Sequence, residues 1–169
     1  MSVLINHLSE MDYLPVDPES QPPENYSLVV EKALQCRLPE HYREFIDYFP
    51  RTGACYLESC ICLDRKYEKY PDSEICWSSL FGHENSELGG LIPININYPD
   101  YRIENIMIIG DDAFGNWLYM SVEPDKNSSI YFMDRRFSQP GEKSGLLLLA
   151  ETFEDFILNS FTKAEEFFK

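Results

Sequence analysis

The chain reads as an α+β domain, in which an antiparallel or mixed β-sheet meander packs against N-terminal helices and a C-terminal helix. Three observations predict this class. Apolar residues recur at helical spacing between residues 26 and 49. Short β-prone runs separated by polar turns fill residues 106 to 133. A capped amphipathic segment closes the chain from Thr152.

Taken in order, Met1 to Glu10 lacks a basic region followed by a long apolar run, so no secretory signal is expected. The next stretch is acidic and holds Pro15, Pro18, Pro22 and Pro23. Four prolines exclude a regular helix there, and residues 12–25 are expected to form an extended arm. A helix follows from Ser27 to Gln35, with Tyr26, Val29, Val30, Ala33 and Leu34 on its apolar face. A second begins after Leu38-Pro39, because proline suits the first helical turn. Its stripe is Tyr42, Phe45, Ile46 and Phe49, with Glu40, Arg43, Glu44 and Asp47 turned outward.

Ala54 to Leu63 changes to a strand pattern, and Asp64 to Asp72 reads as a surface loop or short helix. Ile75 to Phe81 is another strand candidate, followed by a polar loop from His83 to Gly90. Leu91 to Arg102 stays open, since Pro93 and Pro99 disfavour long regular elements. Ile106 to Ile109 is wholly apolar and β-prone, as in a central strand. Gly110 to Asn116 is a turn rich in residues that tolerate left-handed geometry. Trp117 to Val122 and Ile130 to Met133 complete the meander. In the closing helix, Thr152-Phe-Glu-Asp155 forms a capping box, and Phe153, Phe156, Ile157 and Phe161 supply the buried stripe.

At 169 residues, with 44% hydrophobic and 14% aromatic, one domain spanning residues 1–169 can bury a core without disulfides or a metal. The net charge of −15 repels phosphate backbones and anionic membranes, which argues against direct nucleic-acid or membrane binding. Such a field either serves solubility alone or draws in a basic protein. The excess is spread along the chain rather than packed into one tail.

Cys36, Cys55, Cys60, Cys62 and Cys76 are odd in number and lack a disulfide-scaffold spacing. Cys60 and Cys62 share one face of a strand and are read as small buried hydrophobes rather than metal ligands. A reducing cytoplasm fits these cysteines and the missing signal. No metal or other cofactor is expected.

Four local patterns resemble the SUKH superfamily, in particular its branch named after a fungal regulator of cell-wall assembly. These are Leu38-Pro39-Glu-His-Tyr42-Arg-Glu-Phe45, Ile108-Ile109-Gly-Asp-Asp-Ala-Phe-Gly115-Asn116, Ile130-Tyr-Phe-Met-Asp134 and Ala150-Glu-Thr-Phe153-Glu-Asp-Phe156. Their order and spacing span roughly residues 27 to 161. Two departures stand out: Pro50-Arg-Thr-Gly53 replaces a usual Asn-Gly-Gly, and Arg135 follows Asp134 where histidine is frequent.

The resemblance implies a non-enzymatic binding protein of the bacterial toxin-immunity type, whose partner is a cognate polymorphic or contact-dependent toxin. A basic nuclease-type toxin suits the acidity. The other function implied is a regulatory scaffold, but the fungal regulators carry long disordered flanks that this chain lacks. Candidate partner-binding residues are Glu84, Glu87, Asp100, Asp111, Asp112 and Asp134, all expected in acidic loops.

Asp111-Asp112 is the most enzyme-like pair. Adjacent loop residues point apart, however, so bonding to turn amides or contact with a partner is expected in place of acid–base chemistry. His7, His41 and His83 are dispersed, and no serine or cysteine stands in a nucleophile motif. Trp117, inside an apolar strand, is read as core.

Overall fold

The computed structural model describes residues 3–10, 14–15, 19, 21–50, 52–53, 59–63, 74–84, 90–112, 114–123, 128–136 and 138–162. In chain order the elements are α1 (Val3–Glu10), β1 (Leu14–Pro15), α2 (Tyr26–Leu34), α3 (Glu40–Tyr48), β2 (Thr52–Gly53), β3 (Ser59–Cys62), β4 (Glu74–Trp77) and β5 (Ser79–Leu80). Then come α4 (Leu91–Asn97), β6 (Ile106–Asp111), β7 (Trp117–Ser121), β8 (Ile130–Met133), β9 (Leu147–Ala150), α5 (Phe153–Leu158) and β10 (Ser160–Thr162). Single 3-10 turns cover Pro99–Tyr101 and Lys143–Gly145.

Seven strands form one sheet in the order β1-β2-β5-β6-β7-β8-β9, and β10-β3-β4 form a second. Every pairing between strands is antiparallel. The fold is thus α+β, with the β6-β7-β8 meander at the centre of the larger sheet. β6 behaves as its apolar run requires, with Met107, Ile108 and Ile109 all buried.

Because β5 pairs only its two residues with β6, part of that edge needs another partner. Asn95 of α4 supplies it. Its Oδ1 accepts from Ile108 N at 2.8 Å, and its Nδ2 donates to Ile108 O at 2.8 Å. Where β5 does run beside β6 the approach is close. A Cβ at Gly110 would collide with the Ser79 carbonyl oxygen, so glycine is required there. The open segment after Gly90 resolves as a seven-residue helix with Pro93 in its first turn, followed by the 3-10 turn at Pro99.

α3 buries Tyr42, Phe45 and Ile46 as its stripe requires, and Phe49 beyond its end is buried too. The Tyr42 and Phe45 rings both pack on Phe153 of α5, at 4.9 and 5.4 Å between centroids. Phe153 and Phe156 are fully buried, and each deletion to alanine of such a ring costs about 3–5 kcal/mol. Thr152 caps α5 as expected, its Oγ1 accepting from Asp155 N at 2.9 Å.

Several expectations are corrected. α2 starts one residue early and is rotated: Tyr26, Ser27 and Val30 are buried, whereas Val29 is 49% exposed and Ala33 also faces solvent. The cause is polar. Ser27 donates from N and Oγ to the Asp47 carboxylate at 2.6 and 2.7 Å, locking that face onto α3. Phe161 leaves the α5 stripe for β10 and is 36% exposed. The helix ends because Asn159 Nδ2 and Ser160 Oγ donate to the carbonyls of Asp155 and Phe156.

Cys60 is fully buried but is not a free thiol; it faces Cys76 across β3–β4 in a disulfide. Cys62 is exposed, not buried. Residues 64–72 and most of the loop from His83 to Gly90 lie outside the described residues. Among the described residues no helix is long and apolar enough to cross a membrane.

Candidate partner-binding site

Asp111, Asp112 and Asp134 meet at one rim of the larger sheet, because Asp111 pairs with Trp117 and Trp117 with Met133. Their carboxylates are engaged within the fold. Asp112 is buried and closes the β6–β7 turn, its Oδ1 accepting from Phe114 N and Asn116 N, each at 2.8 Å. Its Oδ2 accepts from Asn116 Nδ2 at 2.8 Å. Asn116 Oδ1 in turn accepts from Arg135 N at 3.0 Å, tying the turn to the exit of β8.

Asp111 Oδ1 accepts from the hydroxyls of Ser78 and Ser79. The two neighbouring aspartates therefore address different partners, as expected for adjacent residues in a turn. Asp134 is 2% exposed and accepts from Arg136 N at 2.9 Å and from its guanidinium at 2.6 to 3.2 Å. These charge-assisted bonds tie the Arg136 guanidinium to the buried carboxylate.

The remaining candidates lie apart from this trio in their roles. Asp100 is exposed in the 3-10 turn Pro99–Tyr101. Glu84 is half-buried beside the His83–Pro50 bridge, and Glu87 lies outside the described residues.

What the rim turns outward is different in character. Phe114 stands 83% exposed at the tip of the turn, and Arg135 and Arg136 flank it. These three line a cleft of about 470 Å³ together with Asn116. The Arg135 guanidinium lies 5.5 Å from the Tyr101 ring centre, a cation–π contact that limits its wandering. Beneath it Tyr98, Tyr101 and Trp117 form a ring cluster with centroids 6.1 to 6.4 Å apart. Trp117 is only partly exposed and packs on the core, as its strand position suggested.

Exposed and half-buried carboxylates gather at the opposite end of the meander, about 13 Å along β7. A cleft of about 640 Å³ opens there between the start of α3 and the exit of β7, and it includes Glu40, Glu44 and Glu123 with Arg37 and Arg43. Glu154 of α5 reaches the same corner, its Oε2 3.1 Å from His41 Nε2, with Glu151 and Asp155 beside it in sequence. Composition announces the acidity but not this gathering. Only the packing of α3 on α5 unites residues more than 100 positions apart.

Asp111, Asp112 and His83 are not among the described residues that line either cleft or a further one between Leu34 and Val122. Among the described residues no group of three or more His, Cys, Asp or Glu side chains is placed to hold a metal ion.

Residues 24–159 match the model of the SMI1 / KNR4 family (SUKH-1), a span that runs from just before α2 through α5. The chain belongs to this family. No curated protein and no solved structure was found to match it. The SUKH-1 region holds both the Phe114 rim and the acidic corner, while α1, β1 and β10 lie outside it.

Sequence reasoning missed Phe114, Arg135 and Arg136 as surface features. A signal was present in Asp-Ala-Phe114-Gly: an apolar residue at the tip of a tight turn has no core to enter.

Proposed function

We propose that this SUKH-1 chain is a non-enzymatic immunity protein that binds a cognate bacterial toxin and blocks it stoichiometrically. The observation that carries the proposal is family membership across residues 24–159, because the SUKH superfamily is associated with toxin partners. The net charge of −15 supports a basic partner, such as a nuclease-type toxin whose phosphate-binding surface an acidic protein would occupy. The separate engagement of Asp111 and Asp112 supports binding rather than acid–base catalysis. Action in the cytoplasm, where such a toxin meets its target, belongs to the same proposal.

The test is titration of the purified chain against the toxin domain encoded beside its gene, followed by calorimetry and by the toxin's own activity. A one-to-one complex that abolishes activity is expected, with an association rate that falls steeply as salt rises. Absence of any complex overturns the reading. The family is also named for a regulator, which favours a scaffold as the second reading. That version requires several unrelated partners and no inhibition of a toxin.

A further inference from the structure

The rim around Phe114 is a preorganised cationic–aromatic anchor in an otherwise acidic protein. Phe114 is 83% exposed, yet the turn that carries it is held by three bonds to the buried Asp112 carboxylate. Arg136 is fixed by the buried Asp134, and Arg135 by the Tyr101 ring and by its backbone bond to Asn116. An aromatic ring and two arginines held in place lose little rotamer freedom on association, and these residue types dominate the energetic centres of interfaces.

We infer that Phe114, Arg135 and Arg136 insert into a carboxylate-lined pocket on the toxin, and that this insertion anchors the complex. The inference rests on the immunity reading above. Charge complementarity selects the occupant. The Asp134-paired Arg136 and the solvent-facing Arg135 are the cations that this rim presents outward in a chain of net charge −15, and they fit an anionic island within a basic surface. Metal-dependent nucleases present that arrangement, because carboxylates that hold catalytic cations sit amid cationic groups that hold phosphate. A second copy of this chain is the poorer occupant, since two bodies of charge −15 repel one another as they approach.

The experiment titrates the toxin domain encoded beside the gene with the wild-type chain, Phe114→Ala, Arg135→Glu and Glu44→Lys. Thermal melts verify that each variant folds, which is expected because all three side chains point to solvent. Phe114→Ala and Arg135→Glu should each weaken binding at least tenfold, mainly through faster dissociation. Glu44→Lys, at the opposite end, should change the association rate by no more than a few-fold. A carboxylate-to-arginine change in the toxin pocket should restore binding to Arg135→Glu.

Full affinity in both rim variants sinks the anchor while leaving the immunity reading intact. Failure of the wild-type chain to bind sinks both. Sedimentation showing wild-type self-association that Phe114→Ala abolishes would overturn the choice of occupant.

Discussion

Asp112 shows how a single carboxylate decides what its neighbourhood can do. Buried at the base of the β6–β7 turn, it satisfies two backbone amides and the Asn116 side chain. Replacement by alanine leaves those donors without this partner, two of them at buried Asn116. Asp112→Ala should therefore cost about 3 kcal/mol in urea denaturation, and it should loosen the backbone around Phe114 in hydrogen exchange. Asp134 acts in the same way towards Arg136. The acidic residues at this rim thus shape a surface whose outward chemistry is aromatic and cationic, the reverse of what their number suggests.

At the scale of elements, α4 is as much a strand partner as a helix. Its Asn95 side chain closes the open edge of β6 at Ile108 and also donates to Leu91 O at 2.9 Å. Asn95→Leu keeps the volume but strands one N–H and one carbonyl of a central strand. A loss of about 2–3 kcal/mol is expected in urea denaturation, with Ile108 N exchanging faster than its neighbours in β6. The short strands at the sheet's other edge tell a similar story. β1, β2 and β5 contribute two residues each and persist because they are paired on a scaffold already formed by the meander.

For the whole molecule, the aromatic core sets an alkaline limit to stability. Burial pushes the Tyr26 hydroxyl up to about 12, partly offset by a hydrogen bond with the Ile92 backbone. Burial likewise raises Tyr119, with the nearby Tyr101 adding to the shift, and raises the fully buried Tyr42. In each case the native state keeps a proton that the unfolded chain gives up near pH 10. The native state therefore binds more protons, so stability is complete below about pH 10 and falls as pH climbs toward 12. A spectrophotometric titration should show the share of tyrosine absorbance that belongs to Tyr26, Tyr42 and Tyr119 changing only as the chain unfolds. A single normal transition for all 11 tyrosines, with native circular dichroism retained, would contradict this.

Much of this architecture was legible in the order of residues. The stripe of α3, the Thr152 cap and the three central strands depend on contacts within one turn or between neighbouring strands, and local pattern records such contacts. The family motifs lie in those elements. What local pattern does not record is pairing at a distance. α1 shows itself through Leu4, Ile5 and Leu8, which matter only because α5 receives them. β9 and β10 exist because β8 and β3 offer them an edge. The Cys60–Cys76 pair depends on the β3–β4 register.

The same division governs function. Composition by itself determined that the protein is acidic, and the motifs placed it in its family. Only the tertiary structure turned Asp112 and Asp134 inward, left Phe114, Arg135 and Arg136 on the rim, and gathered Glu40, Glu44, Glu123 and Glu154 at the other end. Charge is a property of the residue, but its direction is set by the partners that burial allows.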